Sequence, residues 1–232
     1  MNSLKFFETQ KLHYGKYLYK LVLANPLSSI FRTELQKSGN LVYAKVKLDE
    51  LNEKYNRGEL LTKDVWRTTS VIEETAFLDA LDIYNNLKSL DDYKIRIERG
   101  CVMWLYSNNK KVLLLLCNKM RSSAKEFWEP TFENVDFLKE EKNIVLVKSE
   151  PEFPLRVWLG YKKIDPALAN WLANNQDKSS VGNKTLKNIK TGWCGGNYFY
   201  VRNEKILIMI ELLVGHNIQR VEKLVYKPNI DK

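Results

Sequence analysis

Residues able to do chemistry are few in this chain and poorly grouped for a reaction. The two histidines, His13 and His216, are far apart, and neither has a cysteine or carboxylate at ligand spacing. A zinc site is therefore not expected. The cysteines Cys101, Cys117 and Cys194 are odd in number and form no CxxC pair. Buried free thiols in a reducing compartment are expected, not a disulfide framework. No GxGxxG, Walker A, GxSxG or HExxH pattern occurs. Carboxylates do come close together, as Glu73-Glu74, Asp79 with Asp82, Asp91-Asp92 and Glu140-Glu141. Metal-dependent phosphoryl chemistry needs carboxylates that converge. Asp91 and Asp92 precede a strand-like stretch, in which neighbouring side chains point to opposite faces. The expectation is a solvated turn, with no catalytic residue, no metal and no cofactor.

Basic residues interleaved with rings are the stronger signal. In "KLHYGKYLYK" the positions Lys16 and Lys20 alternate with Tyr17 and Tyr19. Lys45 and Lys47 repeat the alternation in "LVYAKVKL". Lys184, Lys187, Lys190 and Arg202 fall in a later segment from Lys178 to Arg202 that contains no acid. Trp193 stands there in "TGWCGG", just before Tyr198 and Tyr200. Cations attract phosphate, rings stack on bases, and glycine lets backbone N–H groups approach a phosphate chain. These thirteen positions are the candidate nucleic-acid contacts. The plainer alternative is packed tyrosines beside a solvated lysine edge.

Charge follows the same division. Net charge is +9; residues 1–48 and 178–232 each carry +6, and residues 49–177 carry −3. If the two ends meet, they form one positive face suited to phosphate. With 232 residues, 44% of them apolar, the chain can bury a core without staples. The longest wholly apolar run, Val112 to Cys117, is far too short to span a bilayer. "MNSLKFFETQ" lacks the apolar stretch of a secretory signal. No membrane partner is expected, and the location expected is cytoplasmic or virion-associated.

Hydrophobic periodicity supplies the elements that must position these residues. Residues 16–23 read as a strand stopped by Asn25-Pro26, and "LSSIFRTELQ" as a short helix before a turn at Ser38-Gly39-Asn40. "LVYAKVKL" reads as a strand. "TTSVIEETAFLDALDIYNNLKSL" reads as a helix, with Ser70 and Glu73 as a capping box. "YKIRIE" and "CVMWLY" form a hairpin about Arg99-Gly100, and "NKKVLLLLCNKM" reads as a helix capped by Asn108, with a buried strand as the alternative for its apolar run. Residues 121–142 hold Glu129-Pro130 and an acidic stretch, and are expected to link the two parts. Beyond them come strands "NIVLVK" and "LRVWLG", and a helix "ALANWLANN" opened by Asp165-Pro166. A long basic loop with one short helical or strand piece follows, then strand "NYFYV", a helix closed by Gly215, and strand "IQRVEKLVYK".

The fold class expected is α+β. An N-terminal α+β subdomain covers 1–120 and the linker 121–142. A C-terminal subdomain over 143–232 has an order that resembles the ferredoxin-like, RNA-recognition topology, with helices on one face of an antiparallel sheet. "GGNYFYV" shares the basic, glycine and aromatic flavour of that family's signature strand, without its spacing. No residue-level repeat between the halves stands out, so any duplication lies in the topology. The function expected is non-enzymatic binding of RNA or single-stranded DNA by a viral or mobile-element protein. The alternatives are a structural or assembly subunit, such as a virion protein, that meets other protein subunits, and a metal-dependent nuclease or polymerase accessory.

Overall fold

The computed structural model describes residues 4–32, 41–65, 68–120 and 123–227. The chain divides into two units, Met1–Asp136 and Phe137–Lys232. The first unit runs β1 (Lys5–Glu8), β2 (Tyr19–Ala24), α1 (Leu41–Asn56), the hairpin β3 (Thr62–Val65) and β4 (Thr68–Val71), α2 (Glu74–Lys88), β5 (Tyr93–Glu98), β6 (Val102–Ser107), α3 (Lys110–Lys119) and β7 (Ala124–Glu129). Helix α4 (Val135–Glu140) carries the chain into the second unit. That unit runs β8 (Ile144–Val147), β9 (Leu155–Leu159), α5 (Ala167–Asn174), β10 (Ser179–Ser180), α6 (Asn183–Lys190), β11 (Tyr198–Val201), α7 (Glu204–Val214) and β12 (Ile218–Tyr226). The class is α+β.

Each unit buries its helices against one face of a five-stranded sheet. In the first, Leu21, Leu23, Met103, Leu105 and Phe127 point from the sheet to Leu48, Phe77, Ile83 and Leu116 on α1, α2 and α3. In the second, Val157, Leu159, Phe199 and Val201 meet Leu168, Leu172, Ile189 and Ile210 on α5, α6 and α7. Strand alternation then sends the intervening side chains to the opposite face. That face carries the candidate site.

The two sheets repeat one another strand for strand. Their orders are β1-β7-β2-β6-β5 and β8-β12-β9-β11-β10. The β1–β7 and β8–β12 pairs are parallel, and all other pairs in both sheets are antiparallel. The repeat reaches the residues at one junction. Tyr106, Asn109, Lys111 and Leu113 align without gaps on Tyr200, Asn203, Lys205 and Leu207. Both asparagines cap the next helix: Asn109 Oδ1 accepts from Val112 N at 3.2 Å, and Asn203 Oδ1 from Ile206 N at 3.1 Å. Sequence reading missed this because four identities among unlike neighbours, such as Lys110 against Glu204, are faint without the strand order.

Other expectations change in detail. "LVYAKVKL" is the start of helix α1, not a strand. Ala44, Leu48 and Leu51 bury at helical spacing and extend the pattern through a charged stretch too long for a strand. Strand β2 begins only at Tyr19, while His13 and Tyr17 bridge a tight turn at Tyr14-Gly15, with φ 55° and 67°. Ser70 pairs in β4, so α2 starts at Glu74 without the capping box. Asn109 rather than Asn108 caps α3; Asn108 Oδ1 instead accepts from Leu18 N at 2.9 Å. Within 121–142, expected as a linker, Ala124–Glu129 forms β7 between β1 and β2, with Ala124 and Phe127 fully buried. Cys117 and Cys194 are buried as expected, but Cys101 is exposed beside the β5–β6 turn. The turn Ser38-Gly39-Asn40 and the end of "LSSIFRTELQ" lie outside the described residues; Ser28–Phe31 forms a single 3-10 turn. Among the described residues no helix is long and apolar enough to cross a membrane.

Candidate nucleic-acid interface

The face of the second sheet turned from its helices is built on three strands. Arg156 and Trp158 alternate with core residues on β9, Tyr198 and Tyr200 on β11, Arg220 and Glu222 on β12. Trp158 lies opposite Tyr198 on one side and Arg220 on the other. Arg156 lies opposite Tyr200 and Glu222. Ring centroids are 4.7 Å apart for Trp158–Tyr198 and 5.6 Å for Tyr198–Tyr200. The Arg220 guanidinium sits 4.6 Å from the Trp158 ring, and that of Arg156 lies 5.4 Å from the same ring.

One carboxylate holds this group together. Glu222 accepts from Arg156 Nε and from Trp158 Nε1, both at 2.7 Å, and lies 3.4 Å from Arg220 Nε. Its side chain is 6% exposed. Two guanidiniums against one carboxylate leave the face positive, and the indole cannot rotate without losing its acceptor. The result is a set of fixed rings with cations between them. Such a surface stacks flat, unpaired bases and draws their phosphates.

A groove of about 490 Å³ adjoins the rings, lined by Ser180, Gly182, Lys184, Gly196, Tyr198 and Tyr200. It brings three residues singled out from the sequence, Lys184, Tyr198 and Tyr200, to one place. Helix α6 supplies Lys184 and continues with Lys187 and Lys190; all three are exposed, and buried Ile189 anchors the helix. Helical spacing of three spreads them over one side. The short helical or strand piece expected within the loop between α5 and β11 is helix α6. Trp193 is 71% exposed just after it. Arg202 is drawn away to Glu152 at 2.5 Å and lies over the Phe153 ring.

The candidates of the first unit are engaged differently. Lys16 pairs with Asp92 at 2.6 Å, and buried Tyr17 donates to the same oxygen at 3.0 Å. Lys16 and Tyr17 together hold the Asp92 carboxyl below its ordinary range, the Lys16 hydrogen bond being the larger cause. Among the described residues no three His, Cys, Asp or Glu side chains group as a metal site. Tyr19 packs on the first core. Lys45 and Lys47 pair with Asp49 at 2.6 Å and Glu50 at 2.8 Å on α1. Lys20 is 9% exposed, with its ammonium 3.8 Å from the Trp128 ring and 5.2 Å from that of Trp104. Burial lowers its pKa against the pull of Glu126.

The corresponding face of the first sheet is covered by its own chain around Tyr106, while Trp104 and Trp128 stay half-buried. Tyr106, aligned with Tyr200, is covered by Tyr14 edge-on at 5.0 Å and by His13 at 5.3 Å, and is 3% exposed. Phe7 stacks on Trp128 at 4.6 Å. Sequence reading missed Arg156, Trp158, Arg220 and Glu222. The alternation in "LRVWLG" carried a signal for the first two; Glu222 is visible only once β12 pairs with β9. Comparison with protein-family models, curated proteins and solved structures found no match.

Proposed function

We propose that the protein binds single-stranded nucleic acid, RNA or DNA, without catalysing a reaction. The binding surface is the open sheet face of the second unit. We read that unit as ferredoxin-like, of the RNA-recognition kind. The support is the strand order β12-β9-β11-β10 with every neighbour antiparallel, and helices packed on one face only. The same order, β7-β2-β6-β5, supports a ferredoxin-like reading of the first unit.

The observation that carries the functional reading is the ring set. Tyr198 and Tyr200 stand two apart on β11, and Trp158 stands opposite Tyr198 on the central strand, with Arg156 and Arg220 among them. Stacking gives sequence-tolerant affinity, and the cations give salt dependence. The test is anisotropy titration of labelled single strands and duplexes at several salt concentrations. Tight single-strand binding that weakens with salt, and weaker duplex binding, is expected. Equal affinity for duplex would contradict base stacking, and no binding at low salt would remove nucleic acid as the ligand.

One observation favours a second reading, a subunit that assembles with other proteins. Helix α7 exposes Ile208 (58%), Leu212 (83%) and Leu213 (50%). Apolar helix surface of this kind serves as contact area. Concentration-dependent assembly without nucleic acid, abolished by Leu212→Glu, would favour it.

A further inference from the structure

The sheet face ends at the Trp158–Tyr198 pair, but rings do not. Beyond it the strands β9 and β11 stay joined by Leu159 N donating to Asn197 O at 2.9 Å. Each then gives way to a short loop. The first loop exposes Tyr161 (83%), and the second exposes Trp193 (71%). We propose that these two rings form a second stacking station, over which a bound single strand continues from the sheet. The proposal rests on the nucleic-acid reading and extends it.

Both loops are fixed. Asn217, 5% exposed, grips the first: Lys162 N donates to its Oδ1 at 3.1 Å, its Nδ2 donates to Lys162 O at 2.5 Å, and Gly160 N donates to its backbone oxygen at 2.7 Å. Asn197, 9% exposed, grips the second: its Nδ2 donates to Trp193 O and Cys194 O, both at 3.1 Å. Asn188 Nδ2 donates to Asn197 Oδ1 at 2.9 Å, which ties the second loop to α6. Buried Cys194 pins the loop to the core. The backbone of both loops is held firmly, while most of each ring stays in solvent. They are pre-organised for a ligand, which lowers the ordering cost of binding.

The two loops touch. Tyr161 lies against Gly195 so closely that a Cβ there would stand 2.2 Å from its ring. The Lys163 side chain lies against Gly192, 3.3 Å from where a Cβ would stand. Tyr161 thus lies against the loop that carries Trp193, two residues along from it, and the Lys163 stem lies against the residue before Trp193. Chemistry favours a nucleic acid over a protein as occupant. Residues 156–163 and 178–203 hold six lysines and no carboxylate, while the two arginines there pair with Glu222 and Glu152. An apolar partner would not call for that charge, and a phosphate chain does.

Length dependence tests this. Labelled oligouridylates of four and ten nucleotides are titrated against the full chain, and against Tyr161→Ala with Trp193→Ala, Gly195→Ala and Trp158→Ala. The four-nucleotide strand fits the sheet alone. The wild type is expected to hold the ten-nucleotide strand more tightly. The double variant should weaken the longer strand about tenfold or more and leave the shorter unchanged, given the usual worth of a base–aromatic stack. Gly195→Ala, which displaces Tyr161, should act in the same direction. Trp158→Ala should weaken both lengths. If Trp158→Ala weakens both while the double variant binds both like wild type, the second station is wrong and the sheet reading survives. If the wild type binds neither length, both are wrong.

Discussion

At the residue scale, a single carboxylate or ring decides what each face can do. Glu222 fixes Trp158 and Arg156 on the second sheet, whereas Lys20 fills the space between Trp104 and Trp128 on the first. His13 shows the cost of such filling. Its Nε2 is buried without a hydrogen-bond partner among the described residues. Burial, and then Lys20 and Lys11, lower its pKa from 6.5 to about 4. The folded state therefore keeps His13 neutral where the unfolded chain takes up a proton. Stability is full above the ordinary histidine range and falls as pH drops through the window from 6.5 to about 4. The loss is about 2–4 kcal/mol. Melting temperatures of wild type and His13→Phe, compared from neutral to acid pH, should diverge as pH falls, the wild type losing more. Parallel curves would contradict the assignment. None of this was legible in "KLHYGKYLYK", because alternation does not reveal that residues before Tyr19 turn back and cover Tyr106.

At the element scale, most strands and helices were legible from periodicity, and the errors have physical causes. Helix α1 deceived because Leu41, Tyr43 and Lys45 alternate with Val42, Ala44 and Val46, satisfying both periods over a short window. Only Leu51, beyond the stretch, breaks the alternation and with Ala44 and Leu48 favours the helix. The basic stretch around Lys184–Lys190 read as a loop with one short helical or strand piece, because α6 offers only Leu186 and Ile189 to the core. That helix now makes a sharper prediction than a loop would. Lys184, Lys187 and Lys190 are held on one side of a rigid element beside the tyrosine groove. Replacing all three by alanine should flatten the salt dependence of single-strand binding. The log–log slope should fall by about 0.7 for each phosphate no longer neutralised, or about 2 in all. An unchanged slope in a folded triple variant would place the phosphates elsewhere.

At the scale of the whole molecule, one strand order is used twice with opposite outcomes. Both units leave a sheet face free of helices. His13 and Tyr14 cover Tyr106 and Phe7 stacks on Trp128 in the first, while Tyr198 and Tyr200 in the second line an open groove. The charge of the ends was legible in the sequence, but its use was not. The lysines at 16, 20, 45 and 47 are paired or buried within their own unit, while those at 184, 187 and 190 are exposed. Composition counts all of them alike, because only the fold decides which cations are neutralised. Base stacking is therefore expected on the second unit alone.

The most direct test is a titration of a labelled four-nucleotide single strand at low salt against wild type, Tyr198→Ala with Tyr200→Ala, and Trp104→Ala. One strand bound per chain is expected. Removing the tyrosine pair should cost about 2–6 kcal/mol of binding, at about 1–3 kcal/mol per stack, and the tryptophan variant should change little. Full affinity in the tyrosine variant, or a loss confined to Trp104→Ala, would contradict stacking on the second unit.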